Sequence, residues 1–155
     1  MAAPGCEHPR IRVAALILLE GKVLLVRHRK GDSVYHLLPG GGVEAGESLG
    51  AALAREVAEE TGLVARLDRP LIVNDTIDPS GSRHILNITC SAVVEGGRLR
   101  VVSDERVEGL DLVAPHELHE LDLRPPFAHE LVRVIDTGAR YHATYLGPLF
   151  TQGHS

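Results

Sequence analysis

The chain has 155 residues, 44% of them hydrophobic, with a formal net charge of −5 and acids and bases interspersed. That is enough apolar material for one cored domain and excludes a disordered chain. The charge gives no basic footprint for nucleic acid or an anionic membrane, and three Tyr, two Phe and no Trp leave little for a base-stacking platform. Two cysteines, Cys6 and Cys90, make no disulfide framework. MAAPGCEHPR at the start lacks a signal-peptide pattern, so the expected setting is a reducing cytoplasm. The longest apolar run, Val13 to Leu19, is too short to span a bilayer.

In chain order, IRVAALILLEGKVLLVRH predicts two strands joined by a tight turn at Glu20-Gly21. Both are apolar almost throughout, which predicts cover on both faces, as in a sheet with helices on either side. LPGGGVEAGES reads as a glycine-rich loop, and SLGAALAREVAEET as a helix that Ser48 caps and Gly62 terminates. RPLIVNDTI and RHILNITCSAVV read as strands separated by the turn DPSGS. EGGR predicts a hairpin into a strand LRVV, followed by a polar loop, SDERVEG, and a short strand, LDLVA. PHEL opens a brief helix with Pro first, and PPFAHELVRVIDTG predicts an amphipathic helix closed by Gly138. No internal repeat or long linker divides the chain, so one domain over 1–155 is expected, its core about 11–138 and its tail 139–155. Apolar residues in that tail imply packing on something as far as about Phe150, which makes a homodimer plausible.

The helix carries an anomaly. At about 100° per residue, Leu49, Ala52, Leu53 and Val57 form one apolar arc. Glu56 and Glu60 project into the same arc and Glu59 lies at its edge. A solvated acidic face belongs opposite the leucines. Carboxylates clustered at a core border repel one another and are costly to desolvate. A divalent cation removes both costs, and an all-oxygen set without a nearby Cys or His pair suits Mg²⁺ or Mn²⁺ rather than zinc. Upstream, Gly40, Gly41 and Gly42 let backbone approach a ligand.

These residues carry a resemblance. Gly41, five residues, Glu47, seven residues and then Arg55-Glu56-Val57-Ala58-Glu59-Glu60-Thr61-Gly62-Leu63 match the fixed positions of the 23-residue box of the Nudix hydrolases. The resemblance implies an α/β/α sandwich with a mixed β-sheet. It also implies attack by water on a pyrophosphate linkage between a nucleoside diphosphate and another group. Glu56, Glu59 and Glu60 would hold Mg²⁺ (or Mn²⁺) with the carbonyl of Gly40. Glu47 would pair with Arg55 and orient the helix. The base is Glu56 or an acid of the later loop, Glu105 or its neighbour Asp104.

The substrate is expected to be a small nucleotide, with neither nucleic acid nor membrane as a partner. Pro79, sixteen residues after Leu63, resembles a proline of ADP-ribose enzymes, although a Gly/Ser turn holds proline for local reasons too. ADP-ribose-like compounds or nucleotide sugars therefore rank ahead of nucleoside triphosphates and dinucleoside polyphosphates. The rival of another class is a Nudix fold that senses a nucleotide without cleaving it, which usually lacks box glutamates. His116 and His119 read as surface; Tyr35, His36, Arg83 and His84 read as packing or as a cleft rim; Glu44 reads as exposed or as support for the cation.

Overall fold

The computed structural model describes residues 8–101, 106–138 and 142–149. In chain order the elements are β1 (Arg10–Leu16), β2 (Leu18–Leu19), β3 (Lys22–Lys30), β4 (Ser33–Leu37), β5 (Gly40–Gly42), α1 (Leu49–Thr61), β6 (Leu63–Ile77), β7 (His84–Gly97), β8 (Val107–Val113), a 3-10 helix (Pro115–Glu120), α2 (Ala128–Thr137) and β9 (Thr144–Pro148). They make an α/β fold with a mixed sheet ordered β5-β1-β7-β6-β9, in which β1–β7 and β6–β9 are parallel and the other pairs antiparallel. A second, antiparallel sheet pairs β3 with β2, β4 and β8.

The apolar strands are covered on both faces, as their composition predicts. Val13 and Ala15 of β1, with Ile17 just beyond it, pack with Leu24 against Ala52, Leu53 and Val57 of α1. Ala14 and Leu16 point the other way, into a second cluster with Leu25, Leu118, Phe127, Leu131 and Val134. The period-2 alternation of one strand thus feeds two cores, with α1 over one and the 3-10 helix and α2 over the other. Among the described residues no helix is long and apolar enough to cross a membrane.

The local signals hold where they are strongest. Glu20 (φ 51°) and Gly21 (φ 78°) turn the hairpin. Ser48 accepts from the Ala51 N–H at 3.1 Å, Gly62 ends α1 with φ 78°, and Gly138 closes α2.

Several boundaries differ. The glycine loop contains a strand, β5, because β1 offers it a pairing edge. SVYHL, unassigned from sequence, is β4. β6 starts at Leu63 rather than Arg69, and three irregularities, one beside Pro70, let the long strand continue. β8 begins at Val107, inside the expected polar loop. The expected EGGR hairpin is not formed. Gly96 and Gly97 are the last residues of β7, paired with Val64 and Leu63, and residues 98–101 run on irregularly. There the Arg100 N–H donates to the Thr61 carbonyl at the end of α1. The tail returns as β9 along β6, while Phe150, Asp104 and Glu105 lie outside the described residues.

Candidate active site

β5 and the last turns of α1 bring the box residues together. Glycine is needed at the contact: a Cβ on Gly41 would lie 2.4 Å from the Glu56 carboxylate carbon, so that carboxylate rests on bare backbone. Gly40 faces Ala14. The Ala15 N–H to Pro39 carbonyl bond beside it marks Gly40 as a position whose own N–H and C=O turn away from β1, toward the open edge. Its N–H donates to Glu60 Oε1 at 3.3 Å, and its carbonyl shares that orientation.

Arg55 ties this arrangement down. It donates to Glu47 through Nε (2.8 Å) and Nη2 (2.9 Å), to the Gly42 carbonyl (3.1 Å) and to Glu56 Oε1 (2.8 Å). One planar guanidinium therefore spans the loop, the strand and the helix. Glu47 is held down to about 2 by the Arg55 hydrogen bonds, helped by the Glu44 N–H, and Arg55 is pushed upward by Glu47 and Glu56.

Glu60 is the charge under tension. Burial pushes its carboxyl up to about 7, Glu56 and Glu59 add to the rise, and Arg12 and the Gly40 N–H oppose it. Glu59 is the most exposed of the three, 60% in its side chain against 16% for Glu56, matching its place at the arc's edge. Among the described residues no three His, Cys, Asp or Glu side chains already converge as a ligand set. The carboxylates are instead engaged separately, Glu56 by Arg55 and Glu60 by Gly40. Oxygen donors only, a carboxyl that resists ionisation alone and a carbonyl at the open edge fit a hard divalent cation.

The other candidates fall elsewhere. His116 and His119 are exposed, as is Glu44, whose N–H donates to Glu47. His84 bonds Asp75 at 2.8 Å, and Tyr145 of β9 bonds the same carboxylate. Pro79 stands at the tip between β6 and β7, and Arg83, just before β7, lies near enough to Arg12 for their charges to interact. Tyr35 packs under the Arg124 guanidinium, 4.0 Å from its ring centre.

Sequence reasoning read His36 as packing or cleft rim but missed its partners, and it missed Asn74 and Arg12 altogether. His36 is buried against Asp111 (2.8 Å), which also takes two bonds from Arg27 (2.6 and 2.8 Å). Asn74 is fully buried with an Oδ1 that lacks a partner among the described residues. Arg12 sits in the apolar β1, near Glu60 and Glu56. A lone arginine inside IRVAALIL was the one legible cue among these.

Comparison with known proteins bears on this geometry. A family model described as the NUDIX domain matches residues 8–136. The chain is 33% identical over 100 residues to an ADP-ribose pyrophosphatase of Methanocaldococcus jannaschii, an alignment covering 64% of this chain and only 59% of that relative. It is 29% identical over 149 residues to the phosphatase NudJ of Escherichia coli, covering 94% of this chain and 97% of the relative. Among solved structures, a Nudix hydrolase from Nitrosomonas europaea superposes with a TM-score of 0.73 at 26% identity, covering 86% of this chain and 93% of that one. A UDP-X diphosphatase gives 0.69 at 26% identity, covering 88% of this chain and 66% of that one. With the family model spanning most of its length and the complete box folded around a glycine strand, the chain belongs to the Nudix hydrolase family.

Proposed function

We propose that this chain is a single-domain, Mg²⁺-dependent pyrophosphohydrolase (Mn²⁺ suits the same donors) that cleaves the diphosphate of a nucleoside diphosphate derivative. The observation that carries the reading is the position of Glu56 and Glu60 against bare glycine backbone, fixed by the Arg55–Glu47 pair. Glu56, Glu59, Glu60 and the Gly40 carbonyl would hold the cation. When bound, it neutralises the diphosphate and acidifies an attacking water.

The chain's own residues do the rest. Arg55 and Glu47 keep the helix and the strand in register. The hydrogen bond from Arg55 to Glu56 holds that carboxylate in place over the glycine strand. Water's oxygen bonds to phosphorus, the bridging P–O bond breaks, and water's proton passes to a carboxylate. Glu56 is one candidate for that base and Glu105 the other.

Relatives named for ADP-ribose and UDP-X support a nucleoside diphosphate joined to a sugar-like group. Nucleoside triphosphates are the second choice. The test is product release from ADP-ribose, UDP-glucose, nucleoside triphosphates and dinucleoside polyphosphates in Mg²⁺, with and without excess EDTA. A higher kcat/KM for ADP-ribose or UDP-glucose than for any triphosphate, abolished by EDTA, is expected. Preference for a triphosphate discards the substrate; full activity in EDTA discards the cation; binding without turnover favours the sensing module.

A further inference from the structure

The two faces of β5 carry opposite charge. On the α1 face stand Glu56, over Gly41, and Glu60, at the Gly40 N–H. On the other face stand Arg10 and Arg12, two residues apart on β1 and so on one side of it. Arg12 lies opposite Gly42 and donates to the Leu38 carbonyl at 2.9 Å, just ahead of the glycines. A guanidinium nitrogen of Arg10 lies 3.6 Å from the place a Cβ on Gly42 would take. No side chain on β5 separates the two charge sets.

Arg12 is underused where it sits. A guanidinium has five N–H donors. Among the described residues, Leu38 takes the one hydrogen bond Arg12 makes. Burial pulls its proton affinity down, Glu60 and Glu56 pull it up without bonding to it, and Arg83 adds a second positive charge nearby. Its spare donors are not buried without a partner, so they stand open to an incoming anion. A diphosphate suits them, because its non-bridging oxygens match the planar fork.

We infer that Arg12 grips the non-bridging oxygens of the substrate's diphosphate across the glycine strand from Glu56 and Glu60, with Arg10 and Arg83 at the rim of the same anion site. The inference rests on the pyrophosphohydrolase reading, and the competing role for Arg12 is that of counter-ion to Glu60.

The test uses the methylene-bridged analogue of ADP, whose P–C–P link is not hydrolysed. Calorimetry gives its affinity in Mg²⁺, and separate titrations give Mn²⁺ affinity without nucleotide, for the wild type, Arg12→Gln and Arg12→Lys. Loss of a charged hydrogen-bonding fork should weaken the analogue about tenfold or more beyond any change in Mn²⁺ affinity, with Arg12→Lys intermediate because it keeps the charge and lacks the fork. An analogue loss no greater than the Mn²⁺ loss makes Arg12 a counter-ion and overturns the inference. If Arg12→Gln does not fold, Arg12→Lys carries the comparison by the same criterion: weaker analogue binding with Mn²⁺ affinity kept supports the inference, and equal effects overturn it. A wild type that fails to bind the analogue overturns it as well. A wild type that binds the analogue but hydrolyses none of the substrate panel refutes the hydrolase reading alone.

Discussion

At the scale of the residue, Glu60 makes the metal-free protein pH-sensitive. Its carboxyl is raised from an ordinary 4.5 to about 7 in the fold, chiefly by burial. A raised folded value means that the native state holds a proton the unfolded chain has already released. Stability from this group is complete below the unfolded value and is lost as pH rises through that window. The loss amounts to roughly 3 kcal/mol at most. In EDTA, urea midpoints of the wild type should fall between about pH 5 and about pH 8, whereas Glu60→Gln should hold its midpoint. The two proteins should converge at the acid end, with the amide the more stable at the alkaline end. A Glu60→Gln protein that unfolds more easily at about pH 8 would make this carboxylate structural. At saturating Mg²⁺, Glu56→Gln and Glu60→Gln should each lower kcat/KM by about a hundredfold or more. Arg55 acts differently, through the shape of its fork. Arg55→Lys keeps the charge but cannot reach Glu47 twice, Gly42 and Glu56 together. It should lose about tenfold or more in kcat/KM while still binding Mn²⁺, and Arg55→Ala should lose more. Normal turnover in both variants would show that the clamp does not set the site.

At the scale of the element, β5 is the structure that makes the site. Its glycines differ in what a methyl group would meet. On Gly40 a Cβ would lie 2.1 Å from the Val13 carbonyl oxygen and 2.7 Å from the Ala14 Cα, both backbone. On Gly41 it would meet only the movable end of Glu56, at 2.4–2.6 Å. Gly40→Ala should therefore destabilise the fold by on the order of 3 kcal/mol, read as a shifted urea midpoint. Gly41→Ala should leave the midpoint nearly unchanged while kcat/KM collapses, because Glu56 is pushed off its seat; equal midpoints for the two variants would contradict this. The same strand shows where sequence reading stops. Three glycines have no strand preference, so β5 exists only because β1 presents an edge to it. α1 was legible at both ends because its signals are local: Ser48 caps it and Gly62 adopts φ 78°. The supposed EGGR hairpin failed because Gly97 packs backbone to backbone against Gly62, a Cβ there lying 2.4 Å from the Gly62 oxygen. That constraint comes from another element, and nothing in the four residues announces it.

At the scale of the whole molecule, the acidic half of the site was legible because it occupies one continuous stretch, from Gly40 to Glu60. The basic half was not. Arg12 reaches the site only through the β1–β5 register, and the Arg27–Asp111–His36 cluster joins the neighbouring strands β3 and β4 to β8, far along the chain. Buried polar groups of this kind depend on tertiary neighbours, which periodicity does not encode. The acidic half also couples the site to the stability of the entire fold. Glu56 and Glu60 project from the same helix whose Ala52, Leu53 and Val57 close one core against β1. Their repulsion in the metal-free state is therefore borne by the whole domain, and a cation that binds only the native state relieves it. At a Mg²⁺ or Mn²⁺ concentration about a hundred times Kd, linkage adds roughly 2.7 kcal/mol. For a chain of this length that raises Tm by roughly 5–10 °C, more at about pH 8 than at about pH 5, where protons compete for Glu60. Glu60→Gln should show a higher Tm than the wild type in EDTA and a much smaller rise on adding Mn²⁺. A full-sized rise in that variant would place the cation away from Glu60 and break the link between the acidic arc and the chemistry.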